Sequence, residues 1–209
     1  MRKKIDLSLY LVTDRKWATG QAFEQQVEQA LCGGVTFLQL REKQMGQEAF
    51  LTQACKIKKI AGKYGVPLII NDNIEVALAA GADGVHLGQG DGSVKQARSR
   101  LGEGKIIGVS AHSVEEARAA EKAGADYLGA GAVFPTGTKS DTTRLETETL
   151  KEICAAVSIP VAAIGGISGE NLKRLEGTGI AGIAVVSAIL AQEDARQAAM
   201  LLREKVRQL

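Results

Sequence analysis

The chain has 209 residues, 45% of them hydrophobic, which suits one sizeable core and a single large domain better than two small ones. Lysine and arginine total 26 against 24 acidic residues, a formal charge of +2 that is too balanced to advertise nucleic-acid binding, so any preference for anions must be local. No apolar run approaches a membrane span, the basic opening Met1-Arg2-Lys3-Lys4 lacks a cleavage site, and Cys32, Cys55 and Cys154 lie far apart without metal-ligand spacing, so a soluble protein of a reducing, cytoplasmic compartment is expected.

Taken in chain order, residues 7–12 form a short apolar strand. Phe23, Val27, Ala30 and Leu31 then recur at helical spacing, and Gly33-Gly34 stops that helix before a second strand through Thr36-Phe37-Leu38-Gln39. Phe50, Leu51, Ala54, Ile57, Lys58 and Ala61 make a second helical stripe. A third strand over 66–70 follows, entered through Pro67, where a missing N–H is tolerated. Gly81-Ala82-Asp83-Gly84-Val85-His86-Leu87-Gly88 and Gly124-Ala125-Asp126-Tyr127-Leu128-Gly129-Ala130-Gly131 repeat one signature, a glycine helix stop running into an apolar strand. The segment beginning at Gly33 and Gly179-Ile180-Ala181-Gly182-Ile183-Ala184-Val185-Val186 share it. Strands over 106–109 and 159–164 bring the count to about eight, and helical periodicity returns over 114–123, 150–157 and 195–206, the first opened by a capping box of Ser113 and Glu116. Alternation of strand and helix requires parallel strands and right-handed crossovers. The expected fold is therefore α/β, a (β/α)8 TIM barrel formed by residues 1–209 as a single domain, in preference to an open doubly wound sheet.

In such a barrel, ligands bind where strands end and helices begin. Those ends read Thr13-Asp14-Arg15, Gln39-Leu40-Arg41-Glu42-Lys43, Asn71-Asp72, Gly88-Gln89-Gly90-Asp91, Ser110-Ala111-His112, Phe134-Pro135-Thr136-Gly137-Thr138-Lys139, Gly165-Gly166 and Val186-Ser187. Gln39, Arg41 and Lys43 share a period-2 face, which reads either as an anion site or as a strand end reaching solvent. Asp72 and Asp91 can share a divalent ion, or serve as a helix N-cap and a loop turn. Taken alone, the stretch from Thr136 to Lys139 reads as a surface turn. Paired glycines at 165 and 166 suit close backbone approach to a phosphate. His86, inside an apolar run, reads as a satisfied core imidazole, Tyr10 and Trp17 as packing for a loop, and His112 as a solvated cap.

With these motifs assembled, the chain resembles the thiamine-phosphate synthase (thiamine-phosphate pyrophosphorylase) family. The likeness rests on Leu11-Val12-Thr13-Asp14, Gln39 to Lys43, Ile69-Ile70-Asn71-Asp72, Gly84 to Gln89, Val133 to Lys139, and Ile164-Gly165-Gly166-Ile167 with Val185 to Ile189, in order over almost the whole length. It implies condensation of 4-amino-2-methyl-5-(diphosphooxymethyl)pyrimidine with a thiazole phosphate, releasing pyrophosphate, with one Mg²⁺ held by Asp72 and Asp91. Arg41, Lys139 and Ser110 would be catalytic, the cations lying against the diphosphate beside Lys43. Gln39, Leu40, Glu42, Asn71 and Ser110 would contact the pyrimidine side, Glu42 chiefly as support. Thr136, Gly137, Thr138, Gly166, Val186 and Ser187 would hold the thiazole phosphate. A thiazole tautomerase-like isomerase is the nearest alternative, with His112 moving protons, and a phosphate sensor is a more distant one. The segment Thr142-Thr143-Arg144-Leu145-Glu146-Thr147-Glu148 lacks the glycine the family usually carries before its sixth helix, which bears on how Lys139 is carried. Nothing in the sequence fixes an oligomeric state.

Overall fold

The structure is a computed structural model that describes residues 5–18, 22–137 and 144–209. Eight strands close in sequence order into a barrel: β1 (Leu9–Val12), β2 (Phe37–Leu40), β3 (Leu68–Asn71), β4 (Gly84–Leu87), β5 (Ile106–Ala111), β6 (Tyr127–Gly131), β7 (Val161–Ile164) and β8 (Gly182–Val185). Every neighbouring pair is parallel, and β8 returns to pair with β1 through Leu9–Ile183, Tyr10–Ala184 and Leu11–Val185. The helices are α1 (Phe23–Cys32), α2 (Gln47–Lys63), α3 (Ile74–Ala79), α4 (Val94–Leu101), α5 (Val114–Lys122), α6 (Thr147–Ala156), α7 (Ser187–Leu190) and α8 (Ala195–Val206).

The barrel confirms the expected fold, and two local departures have physical causes. Residues 74–80 are almost uniformly apolar and α4 spreads only Val94, Ala97 and Leu101 over eight mostly polar positions, so neither is singled out by the sequence periodicity, yet both are helices. Between β7 and β8 the chain makes only a 3-10 turn at Leu172–Leu175, whose two leucines, three apart, eclipse and are both buried.

Side chains alternate across each strand. Leu9, Leu11, Leu38 and Leu40 point outward into the large core shared with the helices, whereas Tyr10, Val12, Phe37, Ile69, Ile106, Tyr127, Ala162 and Ala184 pack together inside the barrel. Three rings, Tyr10, Phe37 and Tyr127, meet edge to face with centroids 4.9 to 5.9 Å apart. Tyr127 fits because its neighbour on β5 is Gly108; a Cβ there would lie 2.1 Å from the Tyr127 ring. Tyr10 therefore belongs to the barrel interior, a correction to its expected role in packing a loop.

The repeated Gly-Ala-Asp signature is structural. Asp83 accepts from the Leu68 N–H at 2.8 Å and from Lys58 at 2.5 Å, and Asp126 accepts from the Ile107 N–H at 2.8 Å and from Arg98 at 2.6 Å. Each carboxylate thus ties the entry of its strand to the neighbouring strand, at the end of the barrel opposite the candidate site. The Arg98–Asp126 pair is nearly enclosed, with side chains 13% and 8% exposed, so removing one partner strands the other charge. Asp126→Ala is expected to cost about 3 kcal/mol of stability, read as a lower urea midpoint at unchanged m-value.

Candidate active site

A cavity of about 150 Å³ opens at the C-terminal ends of the strands. Among the residues singled out in the sequence, Gln39, Arg41, Asn71, Ser110, Thr136, Gly166, Val186 and Ser187 all line it. They come from six strand ends far apart in the chain, brought together only by closure of the sheet. Not every expected residue faces the cavity. Leu40 is fully buried in the outer core, so its side chain faces the helices. Glu42 turns aside to Arg15 at 2.8 Å, and its side chain is 4% exposed. Burial, opposed by Arg15, pushes its carboxyl above the usual range. The Gly137 carbonyl accepts from Lys16, joining the loop after β1 to the loop after β6. Thr138 and Lys139 lie outside the described residues.

The rim cations are held by carboxylates. Arg41 sits 3.3 Å from Asp14, and Lys43 sits 2.5 Å from Asp72. Asp72 is the only non-glycine described residue at positive φ, 62°, and the Asn73 N–H bonds the Asn71 carbonyl across it at 2.7 Å. Such a three-residue turn is costly for an aspartate and directs its carboxylate along a path that an ordinary strand exit would not take. Asn73, not Asp72, caps α3 by accepting from the Val76 N–H at 2.9 Å, so the helix-cap reading of Asp72 is corrected. Burial, foremost, and contact with the Asp91 carboxyl raise the Asp72 pKa, while Lys43 pulls it down. Asp91 is itself steered by the Gly88 N–H at 2.8 Å. The Asp72 and Asp91 carboxyls thus interact on the rim next to Asn71.

On the other side of the cavity the backbone is shaped for an anion. Gly165 and Gly166 have φ of 104° and 61°, and a Cβ on Gly166 would lie 2.2 Å from the Pro135 carbonyl oxygen. The Asn171 amide donates to the Gly166 carbonyl at 2.8 Å and fixes this corner through the 3-10 connection. Val186 and Ser187 lead into the short α7, the usual position of a phosphate in such barrels.

Below the rim lies a polar layer that the sequence reading only partly foresaw. Gln39 donates to the Tyr10 hydroxyl; Tyr10 and Tyr127 hydroxyls are 2.9 Å apart; Tyr127 meets His86 Nδ1 at 3.0 Å, and His86 Nε2 meets the Ser110 hydroxyl at 3.1 Å. His86 is the satisfied imidazole that was expected, and it also lines the cavity. Ser113, not His112, caps α5, which corrects the cap reading; the Glu116 carboxylate accepts from the His112 backbone N–H at 2.7 Å and lies 3.1 Å from Nδ1, and the His112 ring borders the cavity. Tyr127 went unrecognised because Tyr in an apolar strand carries no signal of which way its hydroxyl points. Period-2 counting from Val12 would have turned Tyr10 inward.

Fold and rim together define a (β/α)8-barrel protein whose open end gathers cations, paired carboxylates and a glycine-walled anion corner around one small-molecule pocket. The profile of the thiamine monophosphate synthase family matches residues 9–189. A thiamine-phosphate synthase of Ruminiclostridium cellulolyticum is 52% identical over 204 residues, covering 98% of this chain and 97% of its own. One from Methanobrevibacter smithii is 50% identical, covering 96% of each chain. Among solved structures, thiamine phosphate pyrophosphorylase from Pyrococcus furiosus superposes with a TM-score of 0.88 at 39% identity, covering 97% of this chain and 96% of that one. The chain belongs to the thiamine monophosphate synthase family and is a transferase of thiamine biosynthesis; the tautomerase-like alternative finds no support among these relatives. No helix among the described residues is long and apolar enough to cross a membrane.

Gly166→Ala tests the anion corner: a side chain at this φ and this spacing is expected to cost on the order of 2 kcal/mol, read as a lowered denaturation midpoint.

Proposed function

We propose that this protein joins 4-amino-2-methyl-5-(diphosphooxymethyl)pyrimidine to a thiazole phosphate, giving thiamine phosphate and pyrophosphate, in a Mg²⁺-dependent reaction in the cytoplasm. The observation that carries the proposal is the grouping of Lys43, Asp72 and Asp91 on the rim, outside the cavity lining but adjoining Asn71, and of Arg41, Gly166, Val186 and Ser187 around the cavity itself. The rim group with Arg41 suits a diphosphate with a divalent ion, the glycine-walled corner a monophosphate, and the substrates' reacting atoms would meet between them.

Asp72 and Asp91 fit a Mg²⁺ site by the chemistry of their donors. They offer hard oxygens, and no third His, Cys, Asp or Glu joins them among the described residues, which suits an ion completed by water and substrate phosphate. Lys43, 2.5 Å from Asp72, already places a positive charge there. When bound, the ion would neutralise charge on the departing diphosphate.

The residues of this chain then have separable roles. Arg41 moves its guanidinium from Asp14 to the diphosphate, and Lys43 and Lys139 add further charge-assisted donors. Loss of the diphosphate leaves a pyrimidine-methyl cation that the ring amine supports, and the thiazole nitrogen attacks it. Gln39 and Ser110 orient the pyrimidine, Asn71 borders it, and Thr136, Gly137 and Thr138 are assigned to the thiazole phosphate by the family resemblance. No side-chain nucleophile is required, so the rate enhancement comes from positioning and electrostatics.

Mixing both substrates should release pyrophosphate in a manner abolished by chelator, and Asp72→Ala should lower turnover at least about 100-fold; pyrophosphate release that survives both changes would overturn the reading. A second expectation follows from the upward shift of the Asp72 carboxyl. A proton competes more strongly there than at an ordinary aspartate, so the Mg²⁺ concentration giving half-maximal rate should rise as pH falls, by about tenfold per unit once the carboxyl is mostly protonated.

A further inference from the structure

The buried layer under the pocket has a direction. Gln39 is 3% exposed, and its amide nitrogen can only donate, so the Tyr10 oxygen accepts from it. Burial, foremost, keeps the Tyr10 and Tyr127 hydroxyls protonated by raising both pKa values. The Tyr10 proton must therefore go to a neighbour, and Tyr127, 2.9 Å away, is the acceptor in reach. Tyr127, having accepted, gives its own proton to His86 Nδ1 at 3.0 Å. A neutral imidazole that accepts at Nδ1 carries its hydrogen on Nε2, which then points at the Ser110 oxygen 3.1 Å away.

We infer that Tyr10, Tyr127 and His86 are positioning residues, a one-way hydrogen-bond chain that starts at Gln39 and fixes Ser110 as a hydrogen-bond donor toward the pocket. With its oxygen held by His86, the Ser110 hydroxyl hydrogen is turned to the cavity, which Ser110 lines. The pocket thus meets a heterocycle with a fixed donor, suited to an acceptor on the ring edge such as a ring nitrogen. This deepens the reading of the pocket as the pyrimidine site and rests on it only for the identity of the ligand.

The chain has only two histidines, so nitrogen-15 NMR resolves the His86 ring once His112→Gln identifies the other signal set. In the substrate-free wild type, His86 should be the Nε2–H tautomer; an Nδ1–H tautomer would mean that Ser110 donates inward, and would overturn the proposal. Tyr127→Phe keeps the ring in place and removes the donor to Nδ1. The variant should show a mixture of both tautomers, and kcat should fall about tenfold with KM for the thiazole phosphate unchanged. An unaltered Nε2–H tautomer in Tyr127→Phe would also overturn it. Pyrophosphate release by the wild type is read in the same samples, so failure of the tautomer result and failure of the proposed reaction are told apart.

Discussion

Parallel strands buried on both faces have no tolerable edge, and in this chain the constraint is met by pairing β8 back to β1. Closure divides the side chains of every strand into two sets with different company. The outward set joins the helices in one continuous apolar core, while the inward set is too small to be filled by aliphatic residues alone and takes three aromatic rings. Closure also brings all eight strand ends to one rim. Residues as far apart in the chain as Val12 and Ser187 become neighbours there without any of them having to seek the others.

Electrostatics at that rim are balanced before any ligand arrives. Arg41 and Asp14, Arg15 and Glu42, and Lys43 and Asp72 link the ends of β1, β2 and β3 in three pairs. A half-buried cation without a partner would be costly, and a mobile one would lose entropy when it bound. Pairing holds each donor near its working position at the expense of a competition that an arriving diphosphate must win. The same logic explains why Asp72 can occupy a strained turn: its carboxylate is compensated by Lys43, and the turn is stitched by the Asn73 N–H and by the Asp72 N–H to the His86 carbonyl at 2.9 Å.

Much of this was legible beforehand because the periodicities are strong. Strand runs bounded by glycines, helical stripes such as Phe23, Val27, Ala30 and Leu31, and the prolines at strand entries all fall where the barrel needs them. Short helices were not legible: α3 has six residues, all but Glu75 apolar, and the stripe of α4 is only Val94, Ala97 and Leu101 in a mostly polar segment. Of the site, the charged and glycine-bearing strand ends could be read, because polar residues at the end of an apolar run have few structural reasons to be there. Leu40 is on the pyrimidine side only in what the resemblance implies, whereas alternation turns its side chain to the helices. Alternation from Val12 turns the Tyr10 ring inward, but the roles of Tyr10 and Tyr127 lie in hydroxyls whose partners come from other strands, which no single strand reveals.

Gly108 and Tyr127 occupy a single volume inside the barrel, one contributing the absence of a side chain and the other the ring that fills it. Neither position is free to vary by itself, since even a methyl group at 108 would displace the phenol and a smaller residue at 127 would open a void beneath the imidazole. Any lineage that alters one must alter the other in the opposite sense of size, and by doing so it would redraw the floor on which the ligand rests.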